Sequence, residues 1–480
     1  MSRILAGSKA GVLLALGLST TACSTINSVG DTLFGPGSNP KPGQVGYIEG
    51  FLGAVVADEP IAATAGREVL STGGNAADAA VAVALTLSVT LPSRAGLGGG
   101  GGCIAFASGA KSINAGAPEA IIFPSEPPPS GVRGTRPAGL PMMARGLYLL
   151  HARYGSMPFE TYLAGAEQLA RFGVGVSRAL VQDLNVVGGA LLADPGARAV
   201  FAPNGVMIKE GDSLRQAELS TTLSNLRLNG VGDLYQGVLA RRIRDNSPAI
   251  GGPLTLADLR SALPRLQEPL LVPVGNDIAA FLPPPADGGL AAAAAFQTLW
   301  ANPSDLAGAE ARALAVASAW RAGGASAEAL LHGAPPSAYP LPPLPASTAF
   351  ATLDRSGNAV VCALSMNNLF GTGRMFPGMG MLAAASPAAV PPPLLSAGLI
   401  WNKYTKSFRA AVGGSGQAGA PMAVAVGLSN TLRTQEPMAA QVPEPGRADV
   451  IACSRYLPSE NRSCTWAIDP RLFGLALGGT

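Results

Sequence analysis

The sequence predicts an α+β fold in which helices cover two stacked sheets. Three observations predict it. Two helical runs, one starting at Asn75 and one over Gly289–Trp300, are apolar on every side. The middle of the chain carries amphipathic helical periodicity, and short strands dominate from Ser347 on. A helix without a polar face has to be enclosed by other layers, and helices first with strands interleaved suits a layered sandwich.

The elements follow in chain order. Asn75 is a helix N-cap, with Asp78 three residues on facing the same free amides. The Ala/Val/Leu helix behind it is expected to be buried. Five glycines, Gly98 to Gly102, lead into the apolar strand Cys103-Ile104-Ala105-Phe106. Such a run lets backbone approach something closely, either a ligand or a neighbouring layer. Its order is helix, loop, strand, so it is not a dinucleotide fingerprint. Amphipathic segments occur around Ala144–Tyr154, Phe159–Arg171 and Ser220–Asn229, and Leu270–Leu282 returns to strand. Residues 301–345 are rich in Ala and Pro.

At 480 residues, 48% apolar, the chain can bury a large core. A net charge of +3 and the absence of a basic run with interleaved aromatics exclude nucleic acid as the expected partner. The N-terminus reads as an export signal: Arg3 and Lys9, an apolar run over 11–18, then Ser19-Thr20-Thr21-Ala22-Cys23. A small residue before a cysteine resembles a bacterial lipobox, which would place a lipid on Cys23. Thr20 stands where that motif usually has Leu. Residues 1–23 are thus the signal, and 24–45, rich in Gly, Ser, Asn and Pro, are a flexible tether. The alternative is a cleaved, unlipidated signal; either way the expected location is the periplasm. In that compartment Cys453 and Cys464, flanking a short polar loop, can pair as a disulfide. Cys103 and Cys362 sit in apolar strands and read as buried thiols. The cysteine spacings match no metal site, and His151 and His332 are far apart in sequence. No metal and no cofactor are implied.

The stretch that carries chemistry is a Pro-rich run, Pro342-Pro343-Leu344-Pro345-Ala346, that stops at Ser347-Thr348 and becomes a hairpin. Its strands are Ala349–Leu353 and Ala359–Leu364, joined by the turn Asp354-Arg355-Ser356-Gly357-Asn358. An N-terminal-nucleophile hydrolase needs such a junction. A linker is cut before a Ser or Thr, whose new α-amine then serves as base for its own hydroxyl. An ordinary linker before an ordinary hairpin is the other reading of these residues.

The surrounding motifs resemble the gamma-glutamyltransferase (gamma-glutamyltranspeptidase) family. They are Gly73-Gly74-Asn75-Ala76-Ala77-Asp78-Ala79-Ala80-Val81-Ala82-Val83-Ala84-Leu85, the glycine loop from Ala95 to Gly101, Arg153-Tyr154-Gly155-Ser156-Met157-Pro158-Phe159 and Gly211-Asp212-Ser213-Leu214-Arg215-Gln216. Gly252–Leu259, Pro283–Gly289, the Asp354 hairpin, Asn367–Gly373 and Asp469-Pro470-Arg471 follow in the family's order. The collinear match runs from about residue 46 to the end. The resemblance implies a four-layer αββα sandwich of the N-terminal-nucleophile hydrolase type, made as one chain and cut between Ala346 and Ser347. Residues 46–346, ending in a Pro-rich linker over 333–346, would form the large chain and 347–480 the small chain, the two remaining associated.

The family's nucleophile is a threonine followed by a threonine, and Ser347 occupies that position with Thr348 behind it. Ser365 matches the family's second hydroxyl and Asn367 the asparagine that helps hold the substrate's α-amine. As strand residues of equal parity these two face one side; a satisfied polar pair at a strand end is the bland alternative. The oxyanion donors fall at Gln417-Ala418, or after a shift at Gly413-Gly414. Other positions depart from the family. In Ile113–Pro118 the substrate-carboxylate arginine is replaced by Ala115 or Gly116, with Arg94 as a nearby substitute. After Gly380 the chain reads Met381-Leu382-Ala383-Ala384-Ala385-Ser386-Pro387, without acids. The resemblance therefore implies an amidohydrolase or acyltransferase acting on γ-glutamyl or related acyl amides with a degraded amino-acid pocket. A non-catalytic exported lipoprotein scaffold is the alternative, and self-cleavage without turnover lies between them.

Overall fold

Three separate apolar clusters mark the interfaces between layers, and three interfaces make four layers. The computed structural model describes residues 50–108, 116–334, 336, 340–434 and 442–479. Cys23 and the signal and tether segments lie outside the described residues. Asn39–Thr480 is one compact unit.

The first sheet has seven antiparallel strands, in the order Leu475–Gly478, Gly53–Ala57, Thr348–Asp354, Ala359–Ser365, Gly100–Phe106, Glu119–Phe123 and Arg265–Gln267. The second has six, in the order Cys464–Ile468, Arg447–Leu457, Ser407–Ser415, Ser396–Asn402, Asp277–Phe281 and Leu270–Val274. Both sheets mix strands from before and after Ser347. Side chains alternate along each strand. In Thr348–Asp354, Phe350 joins the helix-facing cluster, while Ala351 and Leu353 join the cluster between the sheets. Every residue of this strand is buried, because both its faces are covered.

Helices Pro60–Ser71 and Ala76–Thr90 lie against the first sheet. The second of these is buried at all fifteen positions, as its missing polar face requires. Asn75 Oδ1 accepts from the amides of Ala77 and Asp78, and Asp78 Oδ2 accepts from Asn75 N, closing the capping box. Helices Asp287–Ala301 and Ala420–Thr434 lie against the second sheet, and Leu306–Ala322 packs on Asp287–Ala301.

Two expectations need correction, and two helices add to the reading. Leu270–Leu282 is not one strand but two, Leu270–Val274 and Asp277–Phe281, turned at Gly275 with φ +61°. The Ala/Pro-rich stretch contains a 17-residue helix, Leu306–Ala322, because its prolines lie outside it and alanine favours helix. A 15-residue helix, Ala420–Thr434, interrupts the C-terminal strands. Cys103 and Cys362 are not thiols. They face each other in register across neighbouring strands and form a disulfide. Cys453 and Cys464 form a second, also across a register pair.

Candidate active site

Ser347 stands at the mouth of the Thr348–Asp354 strand and is only 2% exposed. Leu344 and Pro345 are buried as well, and Leu344 is anchored in the cluster between the second sheet and its helices. The strand ladder pairs Thr348 with Leu364, which brings Ser365 to the peptide preceding Ser347. Ser365 Oγ donates to the Ala346 carbonyl oxygen at 2.8 Å. Ser365 Oγ itself accepts from the Asn367 backbone N–H at 2.9 Å. With that amide on its lone pair, the hydroxyl proton is directed onto the Ala346 carbonyl.

Asn367 has the left-handed backbone conformation, φ 58°, which asparagine tolerates. Its side-chain amide donates to the Ala385 carbonyl at 3.0 Å and reaches that of Ser125 at 3.5 Å. It therefore ties residue 385 to residue 125 beside the nucleophile.

The two versions of the oxyanion site differ sharply in geometry. Gly413 and Gly414 belong to an inner strand, paired to Ala397 and Ser396 on one side and to Asp449 and Ala448 on the other. Their amides are committed to the ladders. These glycines serve close packing: a Cβ on Gly413 would stand 2.9 Å from Ala349 Cβ, and one on Gly414 would meet the Ala420 carbonyl at 2.4 Å. Gln417 and Ala418 instead form a 3-10 turn that opens helix Ala420–Thr434. Gln417 has φ 54° and is exposed. Helix N-termini present free amides and positive partial charge, and 417–418 lies at one.

The glycine loop lies against backbone rather than a ligand. Added Cβ atoms would collide with the carbonyl oxygens of Leu382 (at Gly98, 2.1 Å), Ser365 (at Gly99, 2.5 Å) and Phe123 (at Gly100, 2.2 Å). It is the floor on which Ser365 and residues 381–385 rest.

The missing arginine also has to be relocated. Ala115 lies outside the described residues. Gly116 is not at Ser347: its amide donates to the Ala107 carbonyl, and Lys406 methylenes fill the space a Cβ on it would need. That end of the Gly100–Phe106 strand is about 20 Å from the Gly100–Ser365 end, at about 3.3 Å per residue. Residues at the nucleophile end are instead Pro124 and Ser125, which follow the returning strand Glu119–Phe123. Neither supplies a cation. Arg94 does not substitute, because Asp183 holds its guanidinium with two 2.8 Å bonds and Ser93 Oγ binds the same carboxylate. Met381–Ser386 is buried throughout and contributes apolar wall.

Sequence reasoning missed two acids beside Ser347–Ala349. Asp58 Oδ2 accepts from Thr348 Oγ1 at 2.8 Å and from Ala349 N at 3.1 Å. Asp449, from the other sheet, is the register partner of Gly413, which packs on Ala349, so its carboxyl and that of Asp58 are buried on the same residue. Burial pushes the Asp58 carboxyl up against the opposing pull of Arg94 and of its donors. Burial, then the Asp58 and Asp469 charges, push Asp449 well above the usual carboxylate range. The available signal was slight: an acid ending the apolar strand Gly53–Ala57, and another inside Ala448–Cys453. Among the described residues no group of three or more His, Cys, Asp or Glu could hold a metal.

Residues 62–315 match the Gamma-glutamyltranspeptidase family. The chain belongs to that family. It is 32% identical over 248 residues to Glutathione hydrolase 2 of Arabidopsis thaliana, covering 50% of this chain and 43% of that protein. It is 31% identical over 258 residues to the Acylase ACY 1 proenzyme of Pseudomonas sp. (strain SE83), covering 50% of this chain and 46% of that one. The chain thus spans less than half the length of these relatives. The fold is that of N-terminal-nucleophile hydrolases: the crystal structure of cephalosporin acylase from Bacillus halodurans superposes with a TM-score of 0.73 at 20% identity, over 92% of this chain and 99% of that chain. The family match ends at residue 315, short of Ser347, so the nucleophile rests on geometry.

Proposed function

We propose that the protein is a self-cleaving N-terminal-nucleophile amidohydrolase or acyltransferase, with Ser347 as nucleophile and acyl amides, γ-glutamyl ones included, as substrates. The observation that carries this reading is the 2.8 Å bond from Ser365 Oγ to the Ala346 carbonyl. In the first reaction Ser347 Oγ attacks that carbonyl carbon, and negative charge grows on the oxygen that already holds Ser365's proton. The Ser347 hydroxyl proton passes to the Ser347 nitrogen as the C–N bond breaks, leaving an ester between Ala346 and Oγ. Water hydrolyses the ester, giving a carboxylate on Ala346 and a free α-amine on Ser347. That amine is then the base for later turnover: it takes the Oγ proton as Oγ attacks a substrate amide, and returns it to the leaving amine.

The acid-free, buried Met381–Ser386 segment and the absent arginine favour an acyl group without a charged end. Large (46–346) and small (347–480) chains stay together because both sheets draw strands from each. An exported, lipid-anchored location agrees with the N-terminal signal and with two disulfides, which persist in oxidising compartments. Intact mass after reduction, with N-terminal sequencing, tests the reading. A fragment beginning at Ser347 is expected, and an unbroken chain overturns the enzyme in favour of a scaffold that keeps the fold. Release of chromophore from γ-glutamyl-p-nitroanilide, compared with an aliphatic acyl-p-nitroanilide, then separates the acyl classes.

A further inference from the structure

Asp58 follows the Gly53–Ala57 strand of the first sheet, and Asp449 lies opposite Gly413 in the second. Both are 1% exposed. One Asp58 oxygen holds Thr348 and Ala349, the two residues after the nucleophile. The other Asp58 oxygen and both Asp449 oxygens have no donor in the structure. Two bare carboxylates buried against each other repel strongly, and unpaired acceptors are costly. One proton removes both difficulties, since a protonated Asp449 donates to Asp58.

We propose that Asp58 and Asp449 share one proton across the gap between the sheets and act as a positioning pair, the Asp58 carboxylate clamping residues 348–349 so that Ser347 is held for attack. The clamping of Ser347 rests on its reading as nucleophile. The other charged groups facing the pair are already engaged. Arg94 is bound to Asp183, Asp469 to Arg471, and Glu59 accepts from Ala62 N and Thr90 Oγ1. The raised pKa of Asp449 fixes the sign of the pH effect. A carboxyl that binds its proton more tightly when folded stabilises the protein below its unfolded pKa of about 4, and this is lost as pH rises through the folded value.

The test uses the full chain with Asp58→Asn, Asp449→Asn and, should Asp58→Asn not fold, Thr348→Val. Amide hydrogen exchange at Ala349, urea unfolding across pH, and the rate of appearance of the Ser347 fragment per folded molecule are measured. Asp58→Asn or Thr348→Val is expected to speed Ala349 exchange and slow cleavage by about tenfold or more, the loss of one charge-assisted bond. Asp449→Asn keeps a donor toward Asp58, so Ala349 protection stays and its stability relative to wild type rises with pH above about 4. Wild-type exchange and cleavage in the Asp58 or Thr348 variant, or an Asp449→Asn stability that parallels wild type at every pH, would overturn the pair. If the wild type is never cut, the functional reading falls while Ala349 exchange and the pH series still decide the clamp and the shared proton.

Discussion

The two ends of the Thr348–Ser365 hairpin each bury an aspartate, but they are built differently. At the turn, Asp354 accepts from Ser356 N and Asn358 N on one oxygen and from Ala76 N and Asn358 Nδ2 on the other. Both of its oxygens are saturated. At the nucleophile end, Asp58 and Asp449 leave three oxygens without donors, and the hydroxyl of Ser365 points at a peptide carbonyl instead of a structural partner. Burial pushes Asp354 and Asp58 up alike, so the difference lies in satisfaction and not in depth. One end is finished as a cap; the other keeps unused hydrogen-bonding capacity beside the Ala346–Ser347 peptide.

That contrast makes a division of effects: changes to Ser347 and Ser365 should alter rate at constant stability, and changes at the turn should do the reverse. The largest effect is expected of Ser347→Ala, which removes the attacking oxygen. Reduced mass spectrometry should find only the uncut chain, with an unchanged melting temperature. Ser365→Ala deletes one oxyanion donor and should slow cleavage by about 10²–10³, followed as fragment appearance over time. Asp354→Ala strands four donors, the Ala76 amide fully buried and the others part-buried, and should cost about 3 kcal/mol in urea unfolding, while molecules that remain folded are cut at the wild-type rate. Asn358→Ala loses its bonds to Asp354 and to the Ser108 amide, a smaller loss of about 1–2 kcal/mol. Slow cleavage in the two turn variants at full folding would dissolve the comparison.

What could be read in the sequence was what depends on neighbours in the chain. The Asn75–Asp78 box and the buried helix behind it are local, as is the hairpin with its Asp354 turn. What escaped depends on strand order. The glycine run could not be assigned to packing until Leu382, Ser365 and Phe123 were seen to lie against it. The arginine position was sought at Ala115 or Gly116 because the length of the hairpin after Phe106 cannot be judged from composition; only pairing of Glu119–Phe123 with Gly101–Ala105 shows which end of the strand returns to the site. Asp58 and Asp449 are 391 residues apart (449 less 58) and come from different sheets, so no local pattern could join them.

The Cys103–Cys362 bridge joins a strand made before Ser347 to one made after it. Severing the Ala346–Ser347 peptide would therefore not yield two separable polypeptides but a sulfur-stapled heterodimer, whose halves migrate as one species on any gel run without a thiol reagent. Subunit exchange between mature copies would be forbidden for as long as the surroundings stay oxidising. Autoproteolysis would change the protein's termini without changing its molecularity.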